Sequence, residues 1–462
     1  MSGPGTGDGI TVGIDIGTTS VKAVAVDAEG TVLARARVPH EVLVPDVGCF
    51  EHDVDRAWRA DVIDALGQVA GAGSVAAVCV SAMVPSLAAI RADGRAAGPG
   101  LLYGDRRGAR ADHDLAQTGD SGELLAFLAW QAATHPDAPH FWPAQAVANH
   151  ALSGVGAVDT MTAMTGTPLF RRKGWDEELA VGAGASLASL PEIVGGNAAA
   201  GKVLDGLPAA GALVGGGSID ALAEQLVAGA DSVGDVLVLC GTTLITWGVL
   251  AEWGEAPGLW SIPHTAAGRS LIGGPSNAGG LFLDRARHWV GAVSPADLDA
   301  VAPGDLPVWL PYVRGERTPL HRRDLRAHLG DLALHHGPAQ VLRAAYEAAG
   351  FVVRHHLDLA RSAGLAPTRI VATGGGTQVP AWMRALADCT GLPVSVAAVP
   401  EGAALGAAFL ARCTAGLEDQ ITDASRWART SHVVEPDSAW VEASDARYQR
   451  FRQLTADAIA GR

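Results

Sequence analysis

The sequence predicts an α/β protein built from two related domains. Its 462 residues correspond to two or three domains at about 150 residues each. The segment Val12–Val26 reads strand, Gly-Thr-Thr, strand, and the same pattern recurs at Val236–Leu250. Duplication of one domain is the simplest explanation of this repeat, although a single match of this length also arises by chance.

The first half opens as a β-meander. Apolar runs separated by Gly, Asp and Thr turns are typical of consecutive hairpins. Val54–Val69 has helical periodicity, and Asp53 before it is a plausible N-cap. Beyond these, Asp105–Val194 is predicted as helices and loops. The predicted strands of the first half are Ile10–Ile16, Val21–Val26, Thr31–Val38 and Val75–Ser81.

The second half combines buried strands with helices. A long amphipathic helix is expected at Ala339–Ser362, and a small-residue helix that packs closely is expected at Gly402–Ala415. The tail Val434–Arg462 reads as a closing helix. The remaining predicted elements are the strands Ala212–Gly215, Asp235–Cys240, Arg369–Thr373 and Leu392–Val396 and the helices Asp220–Ala230 and Pro380–Cys389.

Composition excludes several classes of protein. With 34 basic and 49 acidic residues, the net charge of −15 argues against nucleic acid or an anionic membrane as the main partner. Five cysteines without a C-x-x-C pair make a disulfide framework or a cysteine zinc site unexpected. Neither a signal peptide nor a run of about 18 apolar residues is evident. We therefore expect a cytoplasmic protein.

The two Gly-Thr-Thr hairpins are candidate phosphate sites. In Gly17–Ser20 the glycine permits a tight turn, and successive N–H groups and hydroxyls can converge on an anion. Asp15 suits a Mg²⁺ ion that bridges phosphate oxygens, and Lys22 adds a cation. An ordinary hairpin turn is the alternative, but its recurrence at Gly241–Thr243 favours phosphate binding.

Two further features carry possible chemistry. Gly374–Gln378 lies between a strand and a helix; its glycines would let a nucleotide lie against the backbone, or they form a plain turn. Asp220 follows a glycine turn at a helix start, where it is either a general base toward a hydroxyl or a helix cap.

The ordered set of motifs resembles the FGGY family of carbohydrate kinases, closest to its xylulose and gluconate kinase branch. Besides both hairpins and the Ala372–Gln378 loop, Pro311–Pro319 (PYVRGERTP) carries the resemblance, and the fit runs along nearly the whole chain. Gly48–Asp53 resembles the family pattern GWxEqdP, and Leu101–Arg107 resembles LWxDxR. The resemblance implies two ribonuclease-H/actin-like domains with a central interdomain cleft.

Roles follow from this resemblance position by position. Asp220 would accept the proton of the sugar hydroxyl, and Asp15 would help to hold Mg²⁺. Sugar contacts are implied for Met83, Val84 and Asp105. The implied ATP-binding residues are Gly17, Thr18, Thr19, Lys22, Gly241, Thr242, Thr243, Gly279, Gly374, Gly375, Gly376 and Gln378.

The resemblance also implies where the domains of the chain begin and end. Residues 1–9 are expected to be a flexible tail, 10–211 an N-terminal domain with the sugar side and the first hairpin, and 212–424 a C-terminal domain with the catalytic aspartate and the nucleotide side. Residues 425–462 would close the fold. A homodimer is one expectation, since dimers are common among such enzymes.

Two departures from the family pattern affect residues that are expected to contact the sugar acceptor. Pro85 stands where xylulose kinases have a substrate-binding histidine, and Ala221 stands where they tend to have Asn or Gln. A ketopentose such as xylulose is the first expectation and a sugar acid such as gluconate the second. The rival class is an actin-like ATPase or a sugar-binding regulator without turnover.

Overall fold

A computed structural model describes residues 9–108, 123–171, 174–195, 197–264, 268–304 and 306–461. The predicted tail up to residue 8 and part of the predicted helical region, residues 109–122, lie outside the described residues. The helices of the described residues are α1 Asp61–Val69, α2 Glu123–Thr134, α3 Ala144–Ser153, α4 Thr160–Met164, α5 Glu177–Gly182, α6 Asp220–Ala228, α7 Gly280–Val290, α8 Pro295–Asp299, α9 Pro338–Ala360, α10 Pro380–Thr390, α11 Gly402–Thr414 and α12 Ser438–Ile459.

The strands follow the same chain order. They are β1 Ile10–Ile16, β2 Ser20–Val26, β3 Val32–Pro39, β4 Glu51–His52, β5 Val75–Ala82, β6 Ser86–Ile90, β7 Gly100–Leu102, β8 His140–Trp142, β9 Ala157–Asp159, β10 Phe170–Arg171, β11 Gly174–Trp175, β12 Glu192–Val194, β13 Ala199–Lys202, β14 Leu213–Gly215, β15 Ser218–Ile219, β16 Asp235–Cys240, β17 Leu244–Leu250, β18 Trp260–Pro263, β19 Ser270–Ser276, β20 Val308–Leu310, β21 His328–Gly330, β22 Arg369–Thr373, β23 Val394–Ala397 and β24 Thr430–Val434.

Two larger sheets repeat one arrangement. In the first, β1 pairs antiparallel with β2 and parallel with β5. In the second, β16 pairs antiparallel with β17 and parallel with β22. Each sheet continues outward on both sides, in the orders β13-β14-β5-β1-β2-β3 and β18-β19-β17-β16-β22-β23-β24, with β15 added beside β5. The predicted α/β fold with two related domains is confirmed.

Most predicted elements are present within one or two residues. Asp53 caps the first helical segment, since its Oδ1 accepts the N–H of Arg56 at 3.1 Å. That segment begins as a π-helix, Asp55–Ala60, and continues as α1. The prediction for Asp105–Val194 was incomplete, because the short strands β8 to β12 lie there. Strands of two or three residues are too short to show a period-two pattern.

The compact units differ from the predicted division. The first unit comprises the chain up to Val227 together with Glu401–Trp427, and the second comprises Ala228–Pro400 and Ala428–Arg462. Residues from Glu401 join the first unit because α11 packs against β1 and β5; its Ala407 and Ala411 form a buried cluster with β5. Asp220 therefore belongs to the same unit as the first hairpin, not to the unit of the second.

Each unit has its own buried core. In the first unit Trp58 and the apolar side chains of β1 are fully buried. In the second unit the largest buried side chains include Trp382, Phe351 and Phe451. Trp309 is also buried there. Every residue of β1 and of β16 is buried, so the central strands of both sheets are covered on both faces, and this close packing fixes the loops at the sheet edges.

Candidate active site

Strand register brings several predicted residues of the first unit to one sheet edge. Asp15 on β1 lies opposite Ser81 on β5, which in turn lies opposite Ser218 on β15. All three strands are parallel. One or two residues further along, Gly17, Met83 and Asp220 therefore follow the carboxyl ends of neighbouring strands. Such edges are where α/β sheets place their ligands.

Asp15 is the buried carboxylate of this edge. Its side chain is only 6 % exposed, and the Ser81 hydroxyl donates to its Oδ1 at 3.1 Å. Burial raises the pKa of Asp15, while Lys22, opposite it on β2, and the Ser81 hydrogen bond act in the other direction. A Cβ placed on Gly17 would stand 3.9 Å from Oδ2, so the second oxygen lies under the hairpin.

The Asp15 carboxylate fits a Mg²⁺ ion that is shared with a bound substrate. Mg²⁺ is usually held by one or two carboxylates together with waters and substrate phosphates. Among the described residues no group of three His, Cys, Asp or Glu side chains could hold a metal on its own. Asp15, a single carboxylate beneath a candidate phosphate loop, matches the shared mode of binding.

Asp220 is positioned by the strand before it. It is the first residue of α6 and is half-buried. The N–H of Ala221 donates to its Oδ1 at 2.7 Å, which orients the carboxylate. Ser218 on β15 donates to Asp159, the N-cap of α4, at 3.2 Å. The preceding turn requires Gly217, where φ is 80° and a Cβ would stand 2.0 Å from the Val80 carbonyl oxygen.

The residues predicted to contact the sugar differ in their burial and in their hydrogen-bond partners. Met83 is buried and Val84 is half-buried beside the same edge. Asp105 is fully buried, and its carboxylate accepts the Phe50 N–H at 2.6 Å and the Arg107 guanidinium at 2.6 and 2.8 Å. Asp105 is thus engaged in an ion-paired loop with Arg107, and a sugar would have to displace these partners.

Two histidines that the motif analysis missed hold the first hairpin. His40 Nε2 lies 3.0 Å from the Gly17 carbonyl oxygen, and His52 Nε2 lies 2.9 Å from that of Thr18. Thr18 is half-buried and Thr19 is exposed. His52 lies within the Gly48–Asp53 motif, although the sequence analysis gave it no role. His40 belongs to no sequence pattern and is identified only from the fold.

The second hairpin is held by the backbone of a helix. The N–H groups of Gly280 and Leu281, at the start of α7, donate to the carbonyls of Gly241 and Thr242 at 2.8 and 3.1 Å. This packing requires glycine at position 279, where a Cβ would stand 2.3 Å from the Thr243 carbonyl carbon. The resemblance placed Gly279 among the ATP-binding residues; in the structure it lies against the second hairpin.

Glu316, in the PYVRGERTP motif, anchors the chain that leads into α7. It accepts hydrogen bonds from the Ser276 hydroxyl at 2.7 Å, the Asn277 N–H at 2.9 Å and the Arg317 N–H at 2.7 Å. Burial raises the pKa of Glu316 to about 7. Sequence analysis gave this residue no role of its own.

The third glycine loop shares a sheet edge with the second hairpin. Leu239 on β16 lies opposite Thr373 on β22 in a parallel pair, so the loop beginning at Gly374 and the hairpin at Gly241 leave the sheet side by side. Gly375–Gln378 forms a 3₁₀ turn in which the Thr377 hydroxyl donates to the Gly374 carbonyl at 2.7 Å. Gln378 is exposed.

A cavity of about 750 Å³ opens where this loop enters α10. Val379, Pro380 and Ala381 line one side, and the C-terminal part of α7 lines another. Arg287, His288 and Arg384 supply polar groups at its wall. A mostly apolar cavity with a few polar groups is typical of small-molecule sites.

No helix of the described residues is long and apolar enough to cross a membrane. This observation concerns only the parts of the chain that the structure describes.

Comparison with known proteins supplies the family. Residues 10–134 match the N-terminal domain, and residues 282–415 the C-terminal domain, of the FGGY family of carbohydrate kinases. The xylulose kinase of Streptomyces rubiginosus is 29 % identical over 97 % of this chain and 96 % of its own length.

Solved structures agree. The xylulose kinase of Rhodospirillum rubrum is 28 % identical, with a TM-score of 0.78 over 97 % of this chain and 98 % of that one. The gluconate kinase of Lactobacillus acidophilus, at 20 % identity, has a TM-score of 0.81 over 97 % of this chain and 98 % of that one and supports the fold alone. With both of its domain models matched in order, this chain belongs to the FGGY family of carbohydrate kinases, which are phosphotransferases with an alcohol group as acceptor.

Proposed function

We propose that this protein transfers the γ-phosphate of ATP to a hydroxyl of a small sugar, with a ketopentose such as xylulose as the first candidate. The observation that carries the proposal is the register of β1, β5 and β15, which sets Asp15, the first hairpin and Asp220 at one sheet edge. A metal-binding carboxylate, a phosphate loop and a base are the groups that phosphoryl transfer needs close together.

In this proposal Asp220 accepts the proton of the acceptor hydroxyl. Its position at the start of α6 lies at the positive end of the helix dipole, which stabilises a carboxylate. The deprotonated oxygen then attacks the γ-phosphorus in line, and the bond from that phosphorus to the β,γ-bridging oxygen breaks as ADP leaves. Little covalent chemistry is left for protein groups in such a reaction, so positioning and electrostatics supply most of the rate.

The two hairpins bind phosphate oxygens. Thr18 and Thr19 in one, and Thr242 and Thr243 in the other, reach the surface at least in part and offer hydroxyl and backbone donors. Asp15 would hold Mg²⁺, which supplies neutralisation of the negative charge on the phosphate oxygens. Gly279, the Gly374–Gln378 loop and the cavity beside it form the nucleotide side.

Xylulose comes first because relatives named xylulose kinase align over nearly the whole chain. Pro85 and Ala221 replace polar residues of that branch, so a sugar acid such as gluconate is the second candidate. We also infer a cytoplasmic location, where ATP is abundant.

An acceptor panel tests the proposal. ADP release is measured with Mg-ATP alone and with ketopentoses, polyols and sugar acids in turn, and the phosphorylated product is identified by mass spectrometry. We expect release to depend on one acceptor class, with xylulose foremost. Release that is independent of any sugar would identify an ATPase instead, and binding of sugar without any release would identify a regulator.

A further inference from the structure

Three consecutive carbonyl groups of the first hairpin are bound by two histidines. His40 Nε2 binds the Gly17 oxygen at 3.0 Å, His52 Nε2 binds the Thr18 oxygen at 2.9 Å, and the backbone N–H of His40 donates to the Thr19 oxygen at 3.0 Å. In a trans peptide the C=O and the following N–H point in opposite directions. The N–H groups of Thr18 and Thr19 are therefore turned away from the histidines.

The tautomer of His52 is fixed by a tryptophan. The indole N–H of Trp58 can only donate, and it lies 3.0 Å from His52 Nδ1. Nδ1 therefore carries no proton, and Nε2–H is the group that donates to Thr18. Burial lowers the pKa of His52 to about 4, so the ring stays neutral near pH 7.

Both rings have little room to move. His52 and Trp58 are fully buried, and a Cβ on Gly100 would stand 2.5 Å from the Trp58 ring. His40 packs edge-on against His52 with the ring centroids 4.6 Å apart. On the other side His40 Nδ1 lies 3.3 Å from Asp61 Oδ2, and Arg56 binds the second oxygen of Asp61 at 2.7 Å.

We propose that His52, oriented by Trp58, and His40 are positioning residues that hold the first hairpin with its Thr18 and Thr19 amides directed at a phosphate group of the nucleotide. The inference rests on the proposed function, because it assumes that this hairpin binds phosphate. Neither histidine touches the nucleotide, and their effect is transmitted through the two carbonyls.

The primary test uses two mild substitutions. Trp58→Phe removes the indole N–H that fixes the tautomer, and His52→Gln retains a donor near the position of Nε2. Matched controls are Trp175→Phe, which removes an indole hydrogen bond to the Pro191 carbonyl, and His264→Gln, which alters a buried ring bound to the Ala230 carbonyl. His52→Leu, which removes donor and acceptor together, is the severe variant.

The readouts separate positioning from folding. Mg-ADP and Mg-ATP binding are measured by calorimetry without sugar, together with KM for ATP, KM for the acceptor and the thermal unfolding midpoint. We expect His52→Leu to weaken nucleotide binding about tenfold, the loss expected for one hydrogen bond. Trp58→Phe should weaken it severalfold and His52→Gln least, with KM for the acceptor within twofold of wild type.

Two results would overturn the inference. The first is that folded Trp58→Phe and His52→Leu bind nucleotide as tightly as the control variants do. If His52→Leu does not fold, the comparison rests on Trp58→Phe and His52→Gln. The other is a loss of acceptor and nucleotide affinity in equal proportion. Failure of the proposed function gives a different result, since wild-type protein would then bind no nucleotide or phosphorylate no acceptor.

Discussion

The two Gly-Thr-Thr hairpins share their sequence but not their support. In the first, imidazole side chains bind the carbonyls of Gly17 and Thr18. In the second, backbone N–H groups at the start of α7 bind the carbonyls of Gly241 and Thr242. Both solutions pair the carbonyls of a tight turn with donors. A repeated motif thus fixes the turn, while the surrounding fold decides which residues keep it in place.

The groups that bind its carbonyls determine which substitutions displace each hairpin. A side-chain support loses one hydrogen bond at a time when a histidine is replaced. Hydrogen bonds from the backbone of α7 are lost together when the helix is displaced. Because Gly279 lies so close to the backbone of the second hairpin, a single added methyl group is enough to displace α7. Substitutions at the second hairpin should therefore have the larger effects.

Among substitutions at the supports of the two hairpins, the largest effect is expected from Gly279→Ala. The new Cβ would stand 2.3 Å from the Thr243 carbonyl carbon and 2.6 Å from the Leu244 nitrogen, so α7 and the hairpin must separate. A displacement of about 1 Å in a positioning element can cost roughly a hundredfold in rate. We expect kcat/KM for ATP to fall by about that factor.

Gly304→Ala is the matched control for this variant. Gly304 is exposed, and a Cβ there would meet nothing within 4 Å. A loss of activity in Gly279→Ala no greater than in Gly304→Ala would show that the second hairpin does not depend on α7.

A smaller effect is expected from Asp15→Asn, which tests the proposed Mg²⁺ site under the first hairpin. Removal of the negative charge should weaken the response to Mg²⁺, because the cation prefers a carboxylate. We expect the Mg²⁺ concentration for half-maximal turnover to rise about tenfold or more, while Asp27→Asn, in a neighbouring turn of the same sheet, stays near wild type. An unchanged Mg²⁺ dependence would remove Asp15 from the site.

The smallest effect on turnover, but a clear effect on stability, is expected from Glu316→Gln. Burial raises the pKa of Glu316 from 4.5 to about 7 in the folded protein. Between these two values the folded protein holds a proton that the unfolded chain has released, so this stabilising contribution is complete below pH 4.5 and is lost as the pH rises through 7. Glutamine does not titrate and lacks this dependence.

Urea unfolding at pH 5 to 8 measures the contribution. We expect the free energy of unfolding of wild type relative to Glu316→Gln to decline by on the order of 3 kcal/mol across this range. Glu435→Gln, at an exposed position, is the control. A difference between wild type and Glu316→Gln that does not change with pH would mean that the buried carboxyl does not titrate in this window.

The sequence predicted what short-range patterns determine. Both hairpins, their strands and the helix N-cap at Asp53 depend on residues within a few positions of one another, and all were identified. The repeat of strand, Gly-Thr-Thr, strand was enough to predict two related domains. Asp220 was singled out because a glycine turn before a helix start is itself a local feature.

What the sequence did not predict depends on distant parts of the chain. His40 and His52 contact the hairpin from 23 and 34 residues away, and no local period marks them. Glu401–Trp427 joins the first unit because of packing against strands more than 300 residues earlier. The short strands between β8 and β12 depend on their pairing partners rather than on a pattern of their own.

Asp220→Asn tests the central claim most directly. The variant keeps the size of the side chain and its place at the start of α6, but it cannot accept the acceptor proton. A positioned general base contributes roughly a hundredfold to ten-thousandfold, so phosphorylation of the preferred acceptor should fall at least about a hundredfold. Mg-ADP binding should stay within twofold, and Asp205→Asn, exposed in the same unit, should behave as wild type. Normal turnover by Asp220→Asn would contradict the account.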